Sequence, residues 1–152
     1  MQNFSLDFMT LAFHEAHKAF ALDEVPVGAV ITKNGKVLGA GFNTVILSNS
    51  VSSHAEINAI QEAGKRLKNY RLNNCDMYIT LEPCHMCAKA IVDARIKNVF
   101  FSTLEPKTGS IISIDNFFDK EYLNHRVSYQ HGFLSEEGSE LLKKFFKSKR
   151  KK

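Results

Sequence analysis

His54-Ala55-Glu56-Ile57 and Leu81-Glu82-Pro83-Cys84-His85-Met86-Cys87-Ala88 are the two stretches on which the reading of this chain turns. Both read as helix starts. The second is entered from a short β-prone run, Met77 to Leu81, and Pro83 suits a first helical turn, where its missing N–H is not needed. Cys84, Cys87 and Ile91 then share one helix face, so two thiolates can meet one ion. Zinc favours imidazole nitrogen and thiolate sulfur; a structural site normally closes with four protein ligands, whereas three leave a position open for water. His54, Cys84 and Cys87 make three. Glu56, two positions on from His54, points away from that bond and reads as a proton carrier overhanging the open position. For a fourth ligand the nearest candidates are Cys75 and His85. Cys75 lies before the strand, and His85 is turned roughly 100° from Cys84 on the helix. Cys75 therefore reads as a buried small hydrophobe and His85 as a spare side chain near the site.

Outward from these motifs the elements alternate. Met9, Phe13, Ala16 and Phe20 recur at helical spacing within a helix over 4–22. Val27 to Thr32 and Val37 to Phe42 read as strands, and Asn34-Gly35 between them is a hairpin signal because both residues tolerate positive φ. The polar, serine-rich 43–53 segment reads as a loop, with Ser53 placed to cap the helix that begins near His54. That helix turns Ile57, Ile60 and Leu67 inward and runs to about Gly64 or beyond. Beyond the helix of the cysteines, which reaches about Ala94 or Arg95, come a strand over Val99 to Ser102, a loop over 103–110 and a short edge strand over Val127 to Gln130. Leu134, Leu141, Leu142, Phe145 and Phe146 mark a C-terminal amphipathic helix. The order predicts a three-layer α/β/α sandwich with a central mixed sheet of about five strands.

The chain has 152 residues, 44% hydrophobic and 24% charged, which suits one domain over 1–152 with a real core. No apolar run approaches the roughly 20 residues needed to span a bilayer, so no membrane partner is expected. Met1 to Leu6 does not read as a signal peptide. Three cysteines, two of them in Cys-x-x-Cys, suit metal binding in a reducing compartment, and the cytoplasm is the expected location. The net charge of +4 is uneven. Lys143, Lys144, Lys147, Lys149, Arg150, Lys151 and Lys152 crowd the helix at about 135–152 with no acid among 143–152. Such a run is either a solvated helix end, favoured by the helix dipole, or a contact for a phosphate backbone.

The His-x-Glu and Pro-Cys-x-x-Cys pair resembles the signature of zinc-dependent nucleobase deaminases. Further segments resemble the bacterial tRNA-specific adenosine deaminase family over nearly the whole chain. They are Glu24-Val25-Pro26-Val27-Gly28-Ala29-Val30, Gly41-Phe42-Asn43, Asn69-Tyr70-Arg71-Leu72, Lys107-Thr108-Gly109, Asn124-His125-Arg126-Val127 and the basic C-terminal helix with Phe145-Phe146. The resemblance implies a cytidine deaminase-like fold and one Zn2+ per subunit, held by His54, Cys84 and Cys87, with Glu56 shuttling protons. It implies hydrolytic deamination of adenosine to inosine at the wobble position of a tRNA anticodon, in an arginine tRNA, by a homodimer whose subunits complete each other's sites. Asn43 would then hydrogen-bond the flipped-out base. Ala55 and the Pro83 region would line its pocket, and Phe146, Lys147, Lys149 and Arg150 would contact the anticodon loop.

The residues alone leave other readings open. Asn43 could be a turn residue after a strand, and one of the Phe145-Phe146 pair, Phe145, is expected to face the core. A deaminase of free guanine or cytosine would share the zinc motifs without needing the basic tail, and a non-catalytic zinc-stabilised RNA-binding module would give Glu56 no role. Two segments depart from the family pattern. Asn49-Ser50-Val51-Ser52-Ser53 stands where Asp-Pro-Thr-Ala is common, and Glu105-Pro106 where Asp-Ala is usual.

Overall fold

Periodicity of 3.6 in one segment and of 2 in the next builds two layers of helix on a sheet. The computed structural model describes residues 4–150. Helix α1, Leu6–Ala21, buries Met9, Ala12, Phe13, Ala16 and Ala19 along one stripe. Strands β1, Gly28–Lys33, and β2, Lys36–Phe42, form an antiparallel hairpin. Asn34 and Gly35 turn it with φ of 51° and 76°, the positive pair that matches strand twist. Helix α2, Ala55–Leu67, is followed by β3, Asp76–Leu81, then α3, His85–Asp93, and β4, Asn98–Thr103. A single 3-10 turn at Phe117–Asp119, which the sequence pattern did not suggest, precedes β5, Ser128–His131, and α4, Ser135–Arg150.

The sheet order is β2-β1-β3-β4-β5. β1 pairs antiparallel with β2 and β3, while β3–β4 and β4–β5 are parallel. The expected mixed five-stranded sandwich is what forms. Alternation sorts the strand side chains into two cores: Ala29, Ile31, Met77, Ile79, Val99 and Phe101 face α2 and α3, whereas Val30, Tyr78 and Phe100 face α1. The Tyr78 hydroxyl accepts the backbone N–H of Ser5 at 3.0 Å, which satisfies a polar tip inside an apolar layer. Among the described residues no helix is long and apolar enough to cross a membrane.

Several local expectations are corrected. His54 rather than Ser53 is the N-cap of α2. Pro83 sits one residue before the N-cap Cys84, outside the first turn. Leu134 precedes α4 with φ of 57° instead of belonging to it. Most informative is the inner face of α2. Its fully buried positions are Ala55, Ala59 and Ala63, with Ile60 and Leu67 only partly buried. The cause is a close approach to β2: a Cβ on Gly41 would lie 2.6 Å from both the Ala55 carbonyl oxygen and the Ala59 nitrogen. Small residues on both elements bring backbone against backbone, and large ones are pushed to the flanks.

That contact sets where the start of α2 lies. Gly41→Ala is expected to destabilise the fold by about 2 kcal/mol through overpacking, measured by urea unfolding. A variant as stable as the parent would show that α2 can move off β2 without cost.

Candidate metal centre and pocket

The side chains singled out in the sequence meet at the ends of β2 and β3. β3 delivers Glu82 and Pro83 to Cys84, and the loop after β2 delivers His54. His54 and Cys84 are each the N-cap of a helix, in extended conformation and with no side-chain capping bond. Their side chains are thereby free to leave the helix ends and turn toward each other. The positive ends of α2 and α3 converge there, which favours thiolate.

His54 Nδ1 lies 3.7 Å from Cys84 Sγ and 3.5 Å from Cys87 Sγ, and all three donor atoms fall within 4.8 Å of one another. Zinc bonds of about 2.05 Å to nitrogen and 2.3 Å to sulfur, at tetrahedral angles, would set N and S about 3.6 Å apart. The spacing fits a metal. So does the protonation chemistry. The Cys84 thiol is drawn down to about 4, first by the hydrogen bond with Cys87 and, against burial, by His54. Cys87 is pushed upward by its bond to Cys84, by burial and by the nearby Glu56 carboxylate. Hydrogen bonding to Cys84 raises His54. A bound cation would favour the thiolate form of both sulfurs. These three side chains are placed so that they could hold a metal ion.

Glu56 lies beside it, 4% exposed. Burial pushes its carboxyl up to about 7, near the working range of a group that takes and returns a proton. A cavity of about 270 Å³ opens over these groups, lined by His54, Cys84, Glu56, Ala55, Asn43 and Thr108 among others. Its remaining wall is mostly apolar, from Val25, Val27, Val45, Ile46 and Leu81. Asn43 is 7% exposed and its backbone N–H is held by the Val27 carbonyl. Pro83 is buried, but the wall there is made by Leu81, Glu82 and Cys84.

The two spare donors lie elsewhere. His85 is exposed, and its Nε2 meets Asp115 at 3.0 Å. Cys75 is buried at the opposite end of β3, a six-residue strand of about 20 Å. Phe145 is buried and Phe146 is 44% exposed, as expected for the pair. Phe146, Lys149 and Arg150 line a groove that shares Val25 and Leu81 with the cavity, together with Lys143, Glu105, Pro106 and Lys107. Lys147 is exposed and not part of the groove wall, Lys149 is paired with Asp23, and Lys151 and Lys152 lie outside the described residues.

Two buried acids were given no role by sequence reasoning. Glu24 accepts the N–H groups of Ile46 and Leu47 at 3.1 and 2.7 Å, and Glu82 gathers the loop after β4. Burial alone would raise Glu82, but the Ser113 hydroxyl and several backbone N–H groups outweigh it and hold the carboxyl below its usual value. The only sequence signal for either was an acid one or two residues before a proline.

Comparison with known proteins agrees with this geometry. The model of the cytidine and deoxycytidylate deaminase zinc-binding region matches residues 2–103, which defines the class. A tRNA-specific adenosine deaminase of Aquifex aeolicus is 45% identical over 143 residues, 94% of each chain. One from Haemophilus influenzae is 43% identical over 148 residues, covering 97% of this chain and 86% of its own. A solved structure from work on A-to-I editing by tRNA:A34 deaminases at the wobble position superposes with a TM-score of 0.88 at 39% identity. That match covers 91% of this chain and all of the other, 100%. The chain belongs to the tRNA-specific adenosine deaminase family.

Replacing His54, Cys84 or Cys87 singly by Ala is expected to lower bound metal at least tenfold, read by atomic emission after desalting, while Cys75→Ala leaves it unchanged. Loss of metal in Cys75→Ala would mean a fourth ligand and a different centre.

Proposed function

We propose that this protein is a zinc-dependent hydrolase that converts adenosine to inosine at the wobble position of a tRNA anticodon, with an arginine tRNA as substrate. The observation that carries the reading is Glu56, buried in the lining of the cavity beside three metal donors. When held by His54, Cys84 and Cys87, zinc would keep one coordination position for water and lower that water's pKa. Glu56 takes a proton from the attacking water and delivers it to the ring nitrogen, then takes the proton of the added hydroxyl and delivers it to the departing amine. The water oxygen adds to the carbon bearing the amine, and ammonia leaves. Asn43 hydrogen-bonds the base, Ala55 lies flat against it, and the apolar walls exclude competing water.

A base reaches such a cavity only when it is out of its stack, as in an anticodon loop. Support for a tRNA carrier comes from the groove beside the cavity. There Phe146 presents a ring for stacking, and Lys149 and Arg150 present charge for phosphate. Lys149 reaches phosphate by exchanging its partner Asp23, and Lys147 acts from the neighbouring exposed turn. The proposed homodimer is supported by Ile46, which lines the cavity, and by Leu47 and Val51 in the same loop after β2; they are 68%, 56% and 85% exposed. A reducing cytoplasm suits the free thiols.

The test is one assay. The zinc-loaded protein is given an anticodon stem-loop with adenosine at the wobble position, and separately free adenine, guanine and cytosine, while inosine and ammonia are measured. Inosine from the stem-loop is expected. Glu56→Ala should keep about one zinc per chain and lose at least a thousandfold in turnover. Ammonia from a free base alone would contradict the tRNA reading, and equal activity of Glu56→Ala would remove Glu56 from the mechanism.

A further inference from the structure

Glu82 is 3% exposed, and its two carboxylate oxygens are surrounded by donors from one loop. Oε1 accepts the N–H of Glu105 at 3.0 Å and the Ser113 hydroxyl. Oε2 accepts the N–H groups of Ile111, Ile112 and Ser113 at 3.1, 2.8 and 2.9 Å. An ionised carboxylate has about four lone-pair positions and donates nothing, so these five donors use its capacity in full. The loop packs against the carboxylate so closely that a Cβ on Gly109 would overlap it. From this wound loop, Thr108 reaches the cavity of Glu56, and Glu105, Pro106 and Lys107 reach the basic groove.

We propose that Glu82 is a positioning residue for substrate: it winds the 105–113 loop into a fixed wall that joins the base cavity to the groove. The inference rests on the proposed tRNA reading for its substrate, not for its mechanics. Glu82 does no chemistry on the base, because its oxygens are already occupied. The loop has further bonds, from the Gly109 N–H to the Glu105 carbonyl and from the Ser110 N–H to the Pro83 carbonyl. But Glu105 to Thr108 are at least partly exposed, and Glu82 is the side chain that ties Glu105 to Ile111, Ile112 and Ser113. An acid at this position therefore does what a neutral side chain of the same size cannot: an amide would turn N–H donors toward a ring of N–H donors.

The experiment compares the zinc-loaded parent with Glu82→Gln and with Gly109→Ala, which presses on the carboxylate from the loop side and leaves the metal helix untouched. Both variants should show amide hydrogen exchange at least tenfold faster across 105–113, with unchanged exchange in α3 and unchanged zinc content. With the wobble-adenosine stem-loop, KM should rise about tenfold while kcat stays within threefold. Unchanged exchange across the loop, or faster exchange in α3 with zinc loss, would overturn the proposal by making Glu82 dispensable or merely part of the metal scaffold. A fall in kcat with KM unchanged would also overturn it. If the parent itself does not turn over the stem-loop, the substrate reading fails, and the exchange comparison, made without substrate, still decides whether Glu82 holds the loop.

Discussion

The convergence of two helix N-termini on one buried point is the constraint from which the rest follows. His54 and Cys84 occupy the N-cap positions of α2 and α3, and neither side chain caps its own helix. Helix ends left without side-chain caps are ordinarily a weakness. Here the cap positions are occupied by donors whose better partner is a metal ion, and the positive helix ends help hold their charge. The position of each end is set by ordinary packing. Gly41 and the Ala55, Ala59, Ala63 stripe draw α2 onto β2, while β3 runs directly into α3 through Glu82 and Pro83. A shift of either helix by an ångström would break the 3.5 and 3.7 Å spacing between imidazole and sulfur.

Around this point, buried charge does two different jobs. Glu56 has its carboxyl raised by burial and lines the cavity, suited to proton transfer. Glu24 and Glu82 are as buried but hydrogen-bonded at both oxygens, Glu24 by two backbone N–H groups and Glu82 by four together with the Ser113 hydroxyl, and each secures one loop at the rim. Burying a charge is costly unless it is paired and hydrogen-bonded. Environment, not residue type, separates the acid that can exchange protons from the acids that organise backbone.

The fold class was legible because its carriers are local: the helical stripe of α1, the Asn34-Gly35 turn, and short β-prone runs such as Met77 to Leu81. The metal donors were legible because their spacing has few other uses. What could not be read were the features made by tertiary contact. Ile57 and Ile60 looked like the inner face of α2, since hydrophobicity points to large side chains. The glycines of β2 reserved that face for alanine. Glu24 and Glu82 carry no periodic signal, because their partners are main-chain groups 22 to 31 residues away. The 3-10 turn at Phe117–Asp119 is too short to have a pattern of its own. Groove and cavity likewise share Val25 and Leu81, which no spacing along the chain announces.

An open metal position beside Glu56 is the claim on which the proposed chemistry stands. Zinc-edge X-ray absorption on the protein loaded with one equivalent of metal tests it directly. Two sulfurs at about 2.3 Å and two nitrogen or oxygen ligands at about 2.0–2.1 Å are expected, since His54 supplies one of the latter and water the other. A third sulfur in the shell would mean a closed structural centre and would contradict the catalytic reading.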